Sequence, residues 1–233
     1  MKLIQNYLTK NRCYTNGATI TPKGVMVHST GANNPHIKRY VQPDVQGIGK
    51  NQYGNDWNNA KTEVCVHAFI GKLADGSIAT VQTLPWNRRA WHCGSGVNGS
   101  GNNTYISFEI CEDNLTDVTY FNKVYKEAVE LTAYLCKLYK LDPSKDGVVI
   151  CHSEGASRGI ASYHGDVMHW FPKFGKTMND FRKAVIAEIG NTPTDDTIYR
   201  VQVGAFKNKT NAKNYLAKIK AAGFKDAYIV ESK

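Results

Sequence analysis

The histidines best placed to do chemistry lie in two short strings, Val-Met-Val-His28-Ser-Thr and Val-Ile-Cys-His152-Ser-Glu, each closing a β-branched apolar run. The second string is followed twelve residues on by His164 and then by Asp166. Two imidazoles and a carboxylate are what a catalytic Zn²⁺ uses when it keeps a fourth position open for water or substrate. Taken alone, a histidine at a strand end is more often a satisfied core or surface residue. Two of them plus a third donor argue for a zinc hydrolase. The residues themselves leave the third donor open between Asp166, His164 and His169.

The chain must supply elements that bring these residues together. Gly24 to His28 reads as a buried strand, followed by a long Asn/Gly/Pro-rich loop from Gly31 to Asn59 with a short helix near Ile37 to Val41. Val64 to Ile70 and Ile78 to Gln82, separated by Ala-Asp-Gly, predict a hairpin, and Thr104 to Cys111 alternates as a further strand. Phe121, Val124, Ala128, Leu131, Leu135 and Leu138 step by threes and fours, the stripe of an amphipathic helix ended by Asp142-Pro143. Val148 to Cys151 is then a short strand delivering His152, and Met178 to Ile189 is a second helix stopped by Gly190. The expected fold class is α/β, a mixed central β-sheet flanked by helices.

At 233 residues, with 42% hydrophobic and 21% charged residues, the composition is that of a globular protein able to bury a core. No apolar run approaches the roughly 18 residues of a membrane span, so membrane insertion is not expected. The N-terminus, Met-Lys-Leu-Ile-Gln-Asn-Tyr-Leu, meets polar residues too early for an apolar signal core, and synthesis in the cytoplasm without Sec export is expected. A net charge of +9 suggests an anionic partner. Nucleic acid is not expected, because no Lys/Arg cluster interleaved with aromatics and no zinc-finger spacing occurs. The six cysteines, Cys13, Cys65, Cys93, Cys111, Cys136 and Cys151, are dispersed without CxxC pairs and read as buried reduced thiols. Cys151 cannot serve one site with His152, since neighbours along a strand point to opposite faces.

Several strings in register resemble one family. His28 after its strand, Val66-His67-Ala-Phe-Ile, Asp75-Gly76, Ala90-Trp91-His92-Cys-Gly94, Asn103 leading to Ile106-Ser-Phe-Glu109-Ile, and His152 with Asp166 occur in the order of type-2 N-acetylmuramoyl-L-alanine amidases. The resemblance covers roughly residues 20–175, and its later strings look most like phage endolysins of Gram-positive hosts. It implies the peptidoglycan recognition protein-like fold, Zn²⁺ held by His28, His152 and Asp166, and catalysis by Glu109 and His164. His67, Trp91 and His92 resemble positions that line the site, with Trp91 and His92 as sugar or peptide contacts and His67 divided between a site and a core role. Glu109 lies on an alternating strand whose neighbours Phe108 and Ile110 are apolar, so it faces the other side of the sheet and can act as base. A lysine often stands in the family where this chain has His164. The implied reaction is hydrolysis of the amide between N-acetylmuramic acid and L-alanine, on the wall after release from the host cell. Alternatives are a non-catalytic peptidoglycan recognition module and a cytosolic muropeptide-recycling amidase.

Residues 191–197 are polar, contain Pro193 and read as a linker between a catalytic domain, 1–190, and a segment, 198–233. That segment predicts a small β-α-β unit, with strands at Tyr199 to Val203 and Ala227 to Val230 and a helix through Ala212, Leu216, Ile219 and Ala222. It resembles the first half of a SPOR domain, which in that family binds peptidoglycan glycan strands. About forty residues bury little on their own. Pairing in a homodimer or docking on the first domain is therefore expected.

Overall fold

Alternation along two central strands decides what the sheet offers on each face. β2 (Gly24–Asn33) and β5 (Tyr105–Glu112) run parallel, with Val25 beside Ile106 and His28 beside Glu109. Successive side chains point to opposite faces. Val25, Val27, Ile106, Phe108 and Ile110 therefore join one apolar core, while His28, Ser107 and Glu109 lie on the other side. The computed structural model describes residues 1–191, 202–225 and 227–231, and the chain divides into two units, Met1–Thr192 and Pro193–Lys233.

In the first unit, β1 (Leu3–Gln5), β3 (Ala68–Lys72), β4 (Ile78–Gln82) and β6 (Val149–Cys151) complete a six-stranded sheet of order β1-β4-β3-β5-β2-β6. Only the β3–β4 hairpin is antiparallel among the described pairings. β3 begins later than the sequence pattern suggests, because Cys65 is drawn off into a bridge with Trp91. Gly24 permits the close approach of the chain before β6, since a Cβ there would lie 2.4 Å from the Val148 carbonyl oxygen.

Helix α2 (Val118–Tyr139) covers the apolar face with the expected stripe, Phe121, Val124, Ala128, Leu131 and Leu135 all being buried. Each such side chain contributes roughly 1.5–3 kcal/mol on burial. Asp117 caps the helix by accepting from the Tyr120 N–H at 2.9 Å. Leu138 departs from the stripe and is exposed, and the helix closes at Lys140 in the left-handed conformation, ahead of Asp142-Pro143. Helix α4 (Met178–Asn191) packs Met178, Phe181 and Val185 into the same core. It runs through Gly190 instead of stopping there, because glycine costs a helix only about 1 kcal/mol relative to alanine. Two short helices, α1 (Arg12–Asn16) and α3 (His152–Ser157), carry no sequence signal long enough to announce them.

All six cysteines are free and buried, as their apolar settings suggest. Burial pushes Cys93 up to about 11 and Cys136 up to about 12, which keeps both as thiols.

The second unit contains helix α5 (Lys209–Ala221), capped by Asn208, which accepts from the N–H groups of Thr210 and Asn211. Of the strand expected at Tyr199 to Val203, residues 199–201 lie outside the described residues, and Gln202 and Val203 are not in a strand. Ala227 to Val230 is likewise not a strand. Strands need hydrogen-bonded neighbours and a face to bury, and among the described residues of this unit no residue of α5 is buried and Phe206, Phe224 and Tyr228 are exposed. No helix among the described residues is long and apolar enough to cross a membrane.

Candidate metal centre and active site

Three elements converge on His28. β2 carries it on the face away from α2, beside Glu109 of β5. β6 ends one residue before His152, so this histidine is the first residue of α3 and not the last of a strand. Glu154 secures that junction by accepting from the Cys151 N–H at 3.1 Å, and Arg182 of α4 donates to the Glu154 carboxylate and to the Val149 carbonyl oxygen. Asp166 lies in the following turn, where its own carbonyl accepts from the Ser153 N–H at 3.2 Å.

The side chains of His28, His152 and Asp166 come together, all buried. His28 Nδ1 is 3.0 Å from Asp166 Oδ2 and 3.1 Å from His152 Nδ1, and His152 Nδ1 is 3.4 Å from Asp166 Oδ1. Tetrahedral zinc with ligands at about 2.0–2.1 Å has ligand–ligand edges of about 3.3–3.4 Å. The donor set and its spacing therefore fit such an ion with little movement. Burial works against the Asp166 charge, but the hydrogen bonds from His152 and His28 outweigh it and hold the carboxyl well below the usual range. His28 is pushed the other way, chiefly by burial, and stays neutral, as a metal ligand must.

Glu109 is half-buried, and its Oε2 is shut off from solvent without a hydrogen-bond partner. Burial, followed by the charges of Asp166 and Glu112, raises its pKa well above the ordinary carboxylate value. A carboxylate so placed is a strong candidate for moving protons. His164 is exposed and stacks on His152 with ring centroids 4.7 Å apart. His169 stands apart from the cluster, its Nε2 lying 2.9 Å from Glu112 Oε1.

The remaining residues singled out in the sequence divide. His67 is sealed in the core: Nδ1 accepts from the Ser107 N–H at 3.0 Å and Nε2 donates to the Arg88 carbonyl at 2.7 Å. Burial lowers its pKa to about 4, and with both nitrogens engaged it serves the core and has no atom left for a substrate. His92 is partly buried with its Nδ1 2.9 Å from His28 Nε2, so it adjoins the His28–His152–Asp166 cluster. Trp91 is 41% exposed with the Arg89 guanidinium over its ring, and borders a 310 Å³ cavity with Arg12, Cys13, Asn16, Ala18 and Glu63. Glu154, Arg182 and the buried Asn102 escaped the sequence reading. A carboxylate three residues past a strand end is the only local sign of Glu154, and nothing local marks the others.

A mixed sheet thus brings two histidines and an aspartate, a group able to hold a metal ion, beside an unpaired glutamate oxygen. Residues 18–166 match the N-acetylmuramoyl-L-alanine amidase family, and residues 187–233 match the SPOR domain. With more than half of its length matched, the chain belongs to the N-acetylmuramoyl-L-alanine amidase family. It is 40% identical over 91 residues to the N-acetylmuramoyl-L-alanine amidase CwlA of a Bacillus species, which is 39% of this chain and 35% of CwlA. The chain thus spans about a third of that relative. Its fold is similar to that of the Staphylococcus aureus hydrolase AmiA, crystallised with its ligand, with a TM-score of 0.56 at 20% identity over 81% of this chain and 83% of AmiA. It is also similar to a mutant endolysin from Bacillus subtilis, with a TM-score of 0.55 at 21% identity over 79% of this chain and 99% of the endolysin.

Proposed function

We propose that this chain is a zinc-dependent amidase that cleaves the bond between N-acetylmuramic acid and L-alanine in bacterial peptidoglycan, working on intact wall as a lytic endolysin does. The observation that carries this reading is the converging trio His28, His152 and Asp166 beside the unpartnered Glu109 carboxylate oxygen, in a chain of this family. Zinc bound by that trio would supply Lewis acidity, polarising an amide carbonyl and making a neighbouring water more acidic. Glu109 then takes a proton from the attacking water and delivers it to the nitrogen of L-alanine as the carbon–nitrogen bond breaks. Its raised pKa suits both halves of that transfer, since a stronger base is also an acid near neutral pH. The stacking of His164 on His152 supports a role as N–H donor to the oxyanion that develops on the carbonyl. Trp91, exposed at the surface with Arg89 across its ring, supports a contact with sugar or stem peptide.

The SPOR match and the segment's charge, eight Lys/Arg against four Asp/Glu over residues 194–233, support a wall-binding role for the tail. Glu109→Gln tests the chemistry. The variant is expected to keep zinc and wall binding while losing turnover by ~10²-fold or more. Lysis at the wild-type rate would remove Glu109 from the mechanism, and wall binding without any cleavage by the wild-type chain would favour a recognition module.

A further inference from the structure

Two loops meet beside the metal cluster and are bonded into one rim. Residues 93–101 follow His92, whose Nδ1 is 2.9 Å from His28 Nε2, and residues 158–163 lead into His164, whose ring stacks on His152. The Cys93 carbonyl accepts from the Ser162 N–H at 2.9 Å, the Ile160 carbonyl from the Gly101 N–H at 2.7 Å and the Gly159 carbonyl from the Asn98 N–H at 2.7 Å. Asn98 Nδ2 adds a bond to the Arg158 carbonyl at 2.9 Å. The two backbones pack so closely that a Cβ on Gly96 would lie 2.4 Å from the Gly159 carbonyl oxygen. Buried Asn102 also holds the first loop, accepting from the N–H groups of His92 and Cys93 and donating to the Gly94 carbonyl at 3.0 Å.

Tyr163 stands on this fixed rim 89% exposed, with no hydrogen bond or ring contact among the described residues. A ring left so open adds nothing to the core, and an aromatic on a rigid loop offers a large contact area at little further cost in entropy. We propose that Tyr163 is a substrate-binding residue whose ring stacks on a pyranose ring of the glycan strand, a step that rests on the peptidoglycan reading above. The chemistry of the rim favours sugar over peptide. Gly94 to Gly101 and Gly159 to Tyr163 contain no ionisable group other than the Tyr163 phenol, in a chain of net charge +9. The Arg158 guanidinium is engaged by Asp146. Val97 of the first loop adds an apolar side chain that is 95% exposed. Stem peptides carry charged groups, whereas the sugars are neutral and present apolar C–H faces suited to the face of an aromatic ring. Charged side chains gather instead at the cavity beside Trp91, which Arg12, Glu63 and Arg89 line.

Two measurements on the full chain test the claim. In NMR titration with a peptide-free tetrasaccharide of alternating N-acetylglucosamine and N-acetylmuramic acid, the Tyr163 ring signals, identified by their loss in Tyr163→Phe, are expected to shift. In hydrolysis of soluble tetrasaccharide muropeptides, Tyr163→Ala is expected to raise KM about 5–10-fold, with kcat changed by less than about twofold and zinc content as in wild type. Tyr163→Phe keeps the ring and is expected to retain the wild-type KM. The same KM penalty is expected with a dipeptide and with a pentapeptide stem. Unmoved ring signals, an unchanged KM in Tyr163→Ala, or a penalty confined to the pentapeptide substrate would overturn the inference, the last by making the ring a peptide contact. A wild-type chain whose Tyr163 signals shift but which releases no L-alanine amine would instead remove the amidase reading and leave the sugar contact standing.

Discussion

Asp166 and Glu109 are two carboxylates of one site driven in opposite directions. Both lose solvation on burial, but Asp166 accepts from two imidazoles and stays charged, whereas Glu109 has no such partner and feels the charges of Asp166 and Glu112. A pair of acids pulled apart in this way supports the parts proposed for them, one to hold a cation and one to carry a proton. Asp166→Ala is therefore expected to lose zinc, while His164→Ala keeps one zinc per chain; elemental analysis of the two purified variants distinguishes them. Stoichiometric zinc in Asp166→Ala would move the third ligand to His164 or His169. His67 makes a different prediction, concerning stability. Its folded pKa of about 4 lies below the ordinary 6.5, so the unfolded chain binds a proton first as pH falls. Stability from this group is complete above pH 6.5 and is lost progressively toward pH 4, a change of about 3 kcal/mol. His67→Gln has a donor and an acceptor but no proton to titrate. Urea unfolding near neutral pH and near pH 4.5 should show a shallower pH dependence for the variant, and identical profiles would contradict the assignment.

The strands that carry His28 and Glu109 are legible in the sequence because period-2 alternation is a local signal that also says which residue faces away from the core. Helix α2 is legible for the same reason at its own period, apart from Leu138, which is exposed. α1, α3 and β1 are five, six and three residues long, too short to show a period. The hydrogen-bond partners of His67 and His92 are not legible for another reason. Their partners arrive from 40 and 64 residues away, and no local pattern records a hydrogen bond made by the tertiary fold. The α3 junction is a similar case, since Glu154 is held by Arg182 from α4, 28 residues on. Arg182→Ala removes that clamp together with the bond to the Val149 carbonyl, and both residues are partly exposed. The expected cost is about 1–2 kcal/mol by urea unfolding. A change within error would show that α3 is held by its packing alone.

Across the whole chain, the proposed function joins an amidase unit to a basic SPOR-like segment proposed to bind wall polymers. A tethered second site raises the effective concentration of the first on an insoluble substrate. Residues 1–192 alone should bind and digest intact wall less well than the full chain, with unchanged hydrolysis of soluble muropeptide, and the difference should shrink as salt screens the tail's positive charge. Equal pull-down of both forms would eliminate the targeting role. For this segment, in which Phe206, Phe224 and Tyr228 are exposed, we propose pairing with a second copy, docking on the first unit being the alternative. Light scattering of the full chain and the truncated form would show a dimer in the first only, and a monomer in both would eliminate the pairing. The central claim is the bond cleaved and the metal that serves it, and mass spectrometry of wall digested before and after chelation measures both at once. The account predicts new L-alanine amino termini on intact glycan strands, absent after chelation and restored by added zinc. New reducing sugar ends in place of those amines, or digestion indifferent to the chelator, would contradict it.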